Sequence, residues 1–554
     1  MKLDYKKIFF VGLAFFLITL FWQTYDSVIT KILIDKFGLN QTWSGVVMAL
    51  DNVFALFLIP LFGTLSDKQT SKRGRRTPYI IVGTILAAFA FMGLTFSDNY
   101  QVVKLESEST IVEQYNSIQN VELGYNDWVD IRDDIIDQWD TLLNDGIITQ
   151  ERYDEFYVDV IDGIDTDDTT NVNDYDYESD RLEGINEILT VSGGTLDSQD
   201  QANLKEFFYL HLNQRAWIIT AQSPSTFIVF VITLLIALLS MATFRSPAVA
   251  LMPDVTIKPL RSKANAVINL MGTFGGIIAI IILKVYGLDL LSYVNYAPAF
   301  LTIGILMLVL LGIFLWKVKE PKLVKEREEL DKQLGLTEEE EAEEHHESVE
   351  ALSRDKKRSL ALILASIFLW FTGYNAVTTK LSDYAPKVLD LGFAMPLLIA
   401  QGAALIAFIP IGILATKIGR KKTILIGIIM LTLCFGSVFF LTPDSASVMY
   451  VIFALTGIAW ATINVNSYPM VVELAKGSDV GKYTGYYYAF SMAAQIMTPI
   501  LSGILMDTWG RKILFPYAAL FVASAFITMF LVKHGDAKII KKDSIIENFD
   551  VDMD

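Results

Sequence analysis

The chain has 554 residues, of which 53% are hydrophobic, and its mean hydropathy is +0.41. Because long apolar runs at this level are rare in soluble proteins, the composition predicts a polytopic membrane protein. The single cysteine, Cys434, excludes an intramolecular disulfide and a multi-cysteine zinc site, and the four histidines argue against a histidine metal site. We therefore expect neither a metal nor a cofactor.

The formal net charge of −17 is unevenly distributed. Residues 97–218 hold 29 acidic and 6 basic side chains, so the rest of the chain is mildly basic. Acidic residues hinder translocation little, and 97–218 interrupts a series of apolar runs. We therefore interpret 97–218 as an acidic extracytoplasmic insertion.

The chain begins with Lys2, Lys6 and Lys7, followed by an apolar run without a small-residue cleavage site. We expect an uncleaved first helix with a cytoplasmic start. Apolar runs near the roughly 20 residues that span a bilayer then recur, which predicts about twelve helices with both termini cytoplasmic. The predicted spans are 8–29, 43–62, 79–96, 227–243, 264–283, 297–316, 360–377, 395–415, 423–441, 449–463, 485–506 and 515–532.

The short connector 63–76 joins the second and third spans. Its cations place it on the cytoplasmic side by the positive-inside rule; they are Lys68, Lys72, Arg73, Arg75 and Arg76. Gly63 permits close approach to a neighbouring helix, and Asp67 can form a charge-assisted hydrogen bond. We interpret the connector as a latch between two rigid bodies. The alternative is a topogenic charge cluster, which would require neither Gly63 nor Asp67.

The connector also resembles the loop between helices two and three of the major facilitator superfamily. It is similar to the sucrose/proton symporter-like branch of the glycoside–pentoside–hexuronide cation symporters, through Gly63, Ser66, Asp67, Gly74, Arg75, Arg76 and Pro78. Segments 245–265 and 481–507 also resemble family motifs. The resemblance implies two six-helix bundles around a central cavity and cation-coupled sugar transport. The insertion departs from the family pattern, which has a short loop there.

Within the insertion, segments 129–143, 149–160 and 204–212 have helical patterns. Trp128, Trp139, Phe156 and Tyr157 could seed a small core. The acidic run 162–180 lacks a glycine at the sixth position of an EF-hand loop. We expect a solvated, partly disordered loop there, with weak calcium binding as the alternative.

The chain divides at a charged cytoplasmic central loop, 317–358. The paired His345 and His346 within it fit a solvated charged helix better than a metal site. We expect 1–96 and 219–316 to form the N-terminal bundle, 359–533 the C-terminal bundle and 534–554 a cytoplasmic tail. The two halves have similar sequence patterns, as expected of a parallel repeat. Thr416 occupies the position in the second half that corresponds to Asp67 in the latch of the first half.

Two acidic residues lie inside predicted spans, where an ionisable group costs roughly 2.5–3.5 kcal/mol and therefore needs a reason. Asp26 lies near the outer end of the first helix, and Asp51 lies deeper in the second. Burial favours the protonated carboxyl, so one could carry a coupling proton, or both could coordinate sodium. The alternative is that Asp26 is interfacial and solvated while Asp51 is a bonded structural acid.

Polar and aromatic residues occur at intervals along the helices that we expect to line the cavity. Amides satisfy hydroxyl groups in both directions, and aromatic faces stack on a pyranose, so this mixture suits a neutral sugar. No basic residue lies deep in a predicted span, which argues against an anionic substrate. Each amide could instead join two helices. The candidates are Gln23, Tyr25, Asn52, Asn269, Tyr374, Asn375, Gln401, Trp460, Asn464, Asn466 and Gln495.

A third set of residues is expected at the cytoplasmic helix ends, where it would form an inner gate that holds the outward-open state. It comprises Gly63, Asp67, Arg73, Arg75, Arg76, Arg245, Asp254, Arg261, Arg420 and Glu473.

The leading interpretation is a monomeric transporter of the cell membrane that takes up a disaccharide or glycoside with a proton or sodium ion. One rival is a proton-driven exporter of amphiphilic compounds, which would need a more apolar cavity. Another is a membrane sensor that works through its acidic outer domain. An enzyme is not expected, since the sequence shows no nucleotide loop, metal motif or nucleophile constellation. No nucleic-acid partner is expected.

Overall fold

The computed structural model describes residues 3–108, 110–118, 123–157, 188–190, 192, 194–333, 354–474 and 480–534. Segment 162–180, with its calcium alternative, and the pair His345 and His346 lie outside the described residues, as do the side chains of Phe156 and Tyr157. No strand occurs within the described ranges, which agrees with the predicted all-α class.

The described residues of the first half of the chain form six long apolar helices and four insertion helices. In chain order they are α1 (Tyr5–Lys31, continued by the π-helical turn Ile32–Lys36), α2 (Gln41–Asp67), α3 (Thr77–Glu108), α4 (Ile111–Ile118), α5 (Tyr125–Asn144), α6 (Gln150–Tyr157), α7 (Ser198–Gln222), α8 (Ser225–Val255), α9 (Arg261–Val285) and α10 (Ala297–Lys317).

In the second half, the described residues form a surface helix followed by six further long helices. They are α11 (Glu320–Gln333), α12 (Arg354–Val388), α13 (Ala394–Ile418), α14 (Arg420–Val438), α15 (Val448–Val472), α16 (Val480–Trp509) and α17 (Leu514–Phe530). Within the described ranges, eleven helices are long and apolar enough to cross a membrane. Helix α13 has 25 residues, with a shorter apolar stretch at Ala394–Phe408.

The two halves pack in the same way. In the first bundle α1 contacts α9 and α10, and α3 contacts α8 and α10. In the second bundle α12 contacts α16 and α17, and α14 contacts α15 and α17. The bundles meet along the pairs α1–α12, α2–α16 and α9–α13. This correspondence is what the predicted internal repeat requires.

Two glycines bring α2 and α16 into backbone contact. A Cβ atom on Gly45 would lie 2.1 Å from the carbonyl oxygen of Pro499, and one on Gly503 would lie 2.4 Å from that of Gln41. Both contacts are near the start of α2, opposite the connector 63–76. We call the connector's end of the bundle the cytoplasmic end, following the charge prediction, and the opposite end the outer end.

The described part of the insertion has an apolar core of its own. Trp128, Trp139 and Leu204 are fully buried there, and Tyr293 of the α9–α10 loop joins the same core. The prediction that Trp128 and Trp139 seed a small core is therefore confirmed. Helix α3 also runs on to Glu108, and α7 continues without a break to Gln222.

Candidate functional site: the transport pathway

Helix α8 carries Arg245 well before its cytoplasmic end. We expected the span to end at Thr243, but the helix continues to Val255 through Pro247 and Pro253. Proline is tolerated in membrane helices because neighbouring groups satisfy the freed backbone carbonyls. Arg245 therefore lies about 15 Å from the helix end, at 1.5 Å per residue, and not at the end as expected. Its neighbour Ser246 lies beside Gly63 of α2, so Arg245 is on the cytoplasmic side of the bundle and its role in the inner gate stays a prediction.

Arg245 interacts electrostatically with both candidate coupling acids, Asp26 and Asp51, and the two acids interact with each other. All three side chains are half-buried. Within the described part of the chain, Arg245 makes no hydrogen bond or ion pair of its own. Asp51 accepts hydrogen bonds from the backbone and side-chain nitrogens of Asn52, at 2.6 and 2.7 Å.

Two amides connect the bundles near these acids. Gln401 Nε2 on α13 donates a hydrogen bond of 2.7 Å to Gln23 Oε1 on α1. A Cβ atom on Gly276 of α9 would lie 3.4 Å from Gln401 Oε1, so three helices converge here. Gln401 Oε1 is buried and accepts no hydrogen bond from the described residues. The pair can therefore exchange its mutual bond for bonds to a hydroxyl group.

The second bundle contributes an aromatic pair. The rings of Tyr374 and Trp460 lie parallel, with centroids 3.7 Å apart and an interplanar angle of 5°. Phe371 packs edge-on against Trp460. The neighbouring Asn375 Nδ2 is buried without a hydrogen-bond acceptor among the described residues. A flat aromatic surface beside an unused amide donor is suited to a ligand with both apolar and hydroxyl faces.

Other substrate-site candidates have surroundings that favour the structural alternative. Tyr25 is fully buried, stacks on Phe21 and places its hydroxyl 3.5 Å from the carbonyl oxygen of Met48. Asn466 is buried and donates to its own helix at Thr462. Asn269 is 5% exposed. The remaining two candidates, Asn464 and Gln495, are half-buried. A substrate role for these residues stays a prediction.

At the cytoplasmic end, Arg76 is the centre of the predicted latch. Its guanidinium contacts Asp67 at 2.5 Å, Asp254 at 2.8 Å and Ser66 Oγ at 2.5 Å. A Cβ atom on Gly63 would lie 2.9 Å from Ser246 Oγ on α8, so the expected close approach exists. These contacts lie within the first bundle.

The same connector binds an acid that sequence reasoning missed. Glu320 on α11 accepts from the backbone nitrogens of Arg75, Arg76 and Thr77, at 2.6, 3.0 and 2.8 Å, and from Thr77 Oγ1. A carboxylate is stabilised by the free N–H groups at the N-terminus of α3. Gly74, at φ +108°, leaves room for this carboxylate. Glu320 could not be distinguished in the sequence from the many other acids of 317–358.

The remaining gate candidates also lie at the cytoplasmic end. Arg420 pairs with Glu473 inside the second bundle. The Arg75 guanidinium lies 3.5 Å from Asp254. Arg261 donates to the carbonyl oxygen of Thr256 at 3.3 Å, and Arg73 is exposed. A latch that joins the two bundles at this end stays a prediction.

The outer end holds a buried charge network that sequence reasoning did not find. Asp507 of α16 accepts from the backbone nitrogens of Gln41 and Thr42, at 2.9 and 2.8 Å, and so caps α2 of the other bundle. Lys380 of α12 donates to the Gln41 carbonyl oxygen at 2.8 Å and to Ser44 Oγ at 2.9 Å.

Asp383 extends this network. It accepts from Gln41 at 2.6 Å, Arg511 at 2.8 Å and Lys387 at 2.6 Å, and Lys387 also pairs with Asp35 of the first bundle. Lys380 and Lys387 lie beyond the predicted span 360–377, in the part of α12 that extends to Val388. Buried charges are tolerated only when they are paired and hydrogen-bonded. The outer ends of the bundles are thus held together by polar contacts.

The family model of the Major Facilitator Superfamily matches residues 215–449 and 397–542, more than half of the chain, and that of the MFS/sugar transport proteins matches residues 10–110. The chain therefore belongs to the major facilitator superfamily of membrane transporters. It is a multi-pass membrane protein with a small-molecule substrate.

Two sucrose transport proteins of Arabidopsis thaliana are similar over short stretches. SUC4 is 32% identical over 71 residues, and SUC3 is 33% identical over 76 residues. The matches cover 14% and 13% of those relatives, and 13% and 14% of this chain.

Solved structures show the same fold. The inward-open xylose transporter XylE from E. coli superposes with a TM-score of 0.56 at 12% identity, covering 96% of this chain and 97% of that one. A D-xylose-proton symporter superposes with a TM-score of 0.54 at 13% identity, covering 96% and 98%. The predicted two-bundle fold is confirmed.

Proposed function

We propose that this protein is a secondary transporter that moves a neutral sugar, a disaccharide or glycoside, together with a cation across the cell membrane by alternating access. The observation that carries the proposal is the cluster of Asp26, Asp51 and Arg245. The sucrose transport relatives and the D-xylose-proton symporter support the substrate class and the coupling by similarity alone.

Asp26 and Asp51 are the candidates for the coupling site because they lie close enough to interact electrostatically with each other and with Arg245. A carboxyl group can take up a proton on one side of the membrane and release it on the other. A sodium ion would be repelled by the Arg245 guanidinium. The cluster therefore favours a proton as the coupling ion.

The substrate class is inferred from the side-chain amides and the aromatic rings that line the pathway. Gln23 and Gln401 can each donate to and accept from a hydroxyl group once their mutual hydrogen bond opens. The parallel rings of Tyr374 and Trp460 offer an apolar face of the size of a pyranose. A purely amphiphilic cargo would not provide partners for Gln401 Oε1 and Asn375 Nδ2, and an unsatisfied buried polar group is costly in a dry site. This combination favours a sugar over the cargo of a drug exporter.

Neutralising the two acids tests the coupling role. In proteoliposomes, Asp26→Asn and Asp51→Asn should each lower gradient-driven uptake at least about tenfold, because an amide cannot carry the proton, while sugar exchange continues. Asp137→Asn, which removes an exposed acid from the insertion, is the matched control and should leave uptake unchanged. Undiminished driven uptake in both acid variants would overturn the coupling role.

A further inference from the structure

The insertion is attached firmly to the outer end of the first bundle. Gly38 follows α1 at φ +72°, and a Cβ atom there would lie 2.2 Å from the backbone nitrogen of Trp217 on α7. Asn213 of α7 donates to the carbonyl oxygens of Ile34 and Leu39, at 2.6 and 3.2 Å. Helix α7 therefore lies directly on the turn between α1 and α2.

Further contacts on the same side strengthen this attachment. Gln101 of α3 donates to Thr220 at 3.0 Å, and Lys104 donates to the carbonyl oxygen of Ile219 at 2.8 Å. Tyr115 of α4 donates to Ser292 of the α9–α10 loop at 3.1 Å. Since the insertion is also covalently continuous with α3 and α8, it forms one body with the first bundle.

The insertion reaches the second bundle mainly through charged side chains. Glu206 of α7 pairs with Arg511 at 2.5 Å, and Lys205 pairs with Asp390 at 2.6 Å. Lys512 also lies 3.5 Å from Asn203 Oδ1. Arg511 is the same side chain that binds Asp383 in the outer network. Through Arg511, Glu206 is therefore connected to the charge network that holds the outer ends of the two bundles together.

A cavity of about 660 Å³ lies mainly between the insertion and the first bundle, with Trp43, Asn213 and Trp217 in its lining. Arg511 of the second bundle also lines it, so the Glu206–Arg511 pair lies beside an open space. An ion pair between side chains can separate without exposing a packed core.

We propose that the insertion is an outer strap: it moves with the first bundle, and its Glu206 and Lys205 hold the second bundle closed at the outer end. In alternating access one bundle rocks against the other. A bond that bridges the bundles at the outer end stabilises only the outer-closed state and shifts the population toward it. The strap rests on alternating access in the proposed function, but not on the identity of the sugar or the ion.

Spin-label distances across the outer end test the strap. Labels would be placed at Val285→Cys and Phe440→Cys, which are 75% and 78% exposed at the outer ends of the two bundles, with Cys434→Ser removing the native thiol. In Lys205→Ala/Glu206→Gln, we expect the outer-open fraction to rise about threefold to tenfold, because each pair favours only one state. Asp390→Asn leaves the insertion sequence intact and should act in the same direction.

The matched control is Asp137→Asn, which removes an insertion acid that faces solvent and should leave the distances unchanged. Unaltered distances in both the double variant and Asp390→Asn would overturn the proposal. These distances require no sugar or ion, so a transport assay without sugar uptake would refute the proposed function while leaving this test intact.

A label on the insertion tests which bundle the strap follows. Asp145→Cys lies in an exposed position after α5. In Asp390→Asn, its distance to Val285→Cys should stay narrow, while its distance to Phe440→Cys should lengthen and broaden. Lengthening of both distances would show that the insertion leaves the first bundle and would contradict the proposal.

Discussion

At the scale of single residues, the sequence identified the two acids inside the membrane helices but not their interaction with Arg245. Asp26 and Asp51 stand out because each is an ionisable group in an apolar run. Arg245 was assigned to the inner gate because the polar and proline-containing segment after Thr243 indicated a helix end, whereas the helix continues to Val255. A hydropathy pattern places the end of a membrane helix where the side chains become polar. The helix itself continues as long as its backbone hydrogen bonds are satisfied.

His211 of the insertion core gives a prediction at the same scale. Its Nδ1 accepts from Trp139 Nε1 at 3.0 Å, and burial, assisted by Arg215, lowers the pKa of His211 to about 3. Because the unfolded imidazole titrates near pH 6.5, the unfolded state binds the extra proton and stability is lost as the pH falls below about 6.5. Between pH 6.5 and 4.5 the insertion should lose about 2–3 kcal/mol, at about 1.4 kcal/mol per pH unit.

Hydrogen exchange in α5 and α7, compared with the variant His211→Asn, measures this loss. Asparagine can still accept from Trp139 but does not titrate, so the variant should lose less stability over the same pH range. Equal losses in both proteins would show that His211 is not the titrating group.

At the scale of secondary-structure elements, the presence of the helices could be predicted, but which helices contact each other could not. The apolar runs predicted the spans, because each must satisfy its backbone internally in a membrane. The contact of α2 with α16 depends on Gly45 and Gly503, which look like ordinary helix glycines in the sequence. Lys380, Asp383 and Lys387 were likewise hidden, because their partners Asp35, Gln41 and Arg511 are distant in the chain.

Gly45→Leu should prevent the outer end from closing. Its Cβ would lie 2.1 Å from the Pro499 carbonyl oxygen, a distance that forces α2 and α16 apart. The spin-label pair at positions 285 and 440 should then show a longer distance. Gly312→Leu on α10 is the control, since a Cβ there meets nothing within 4 Å. A short distance retained in Gly45→Leu would mean that the helices adjust without opening.

At the scale of the whole molecule, the repeat and the two-bundle fold were predicted from hydropathy, charge and motif resemblance. The structure adds a closed outer end, built from the network around Asp383 and from α7 of the insertion. The insertion's core around Trp128 and Trp139 was predicted from the sequence, but its attachment to the bundles was not, because the partners of α7 are distant in the chain. A high net charge can coexist with a folded unit when enough apolar side chains are buried.

The most direct test of the account is uptake of labelled sucrose, maltose and related glycosides into proteoliposomes under an imposed proton or sodium gradient. If the protein is a proton-coupled sugar transporter, one of these sugars should accumulate, and the accumulation should collapse when the proton gradient is abolished. Absence of both accumulation and counterflow of every sugar, with either gradient, would contradict it.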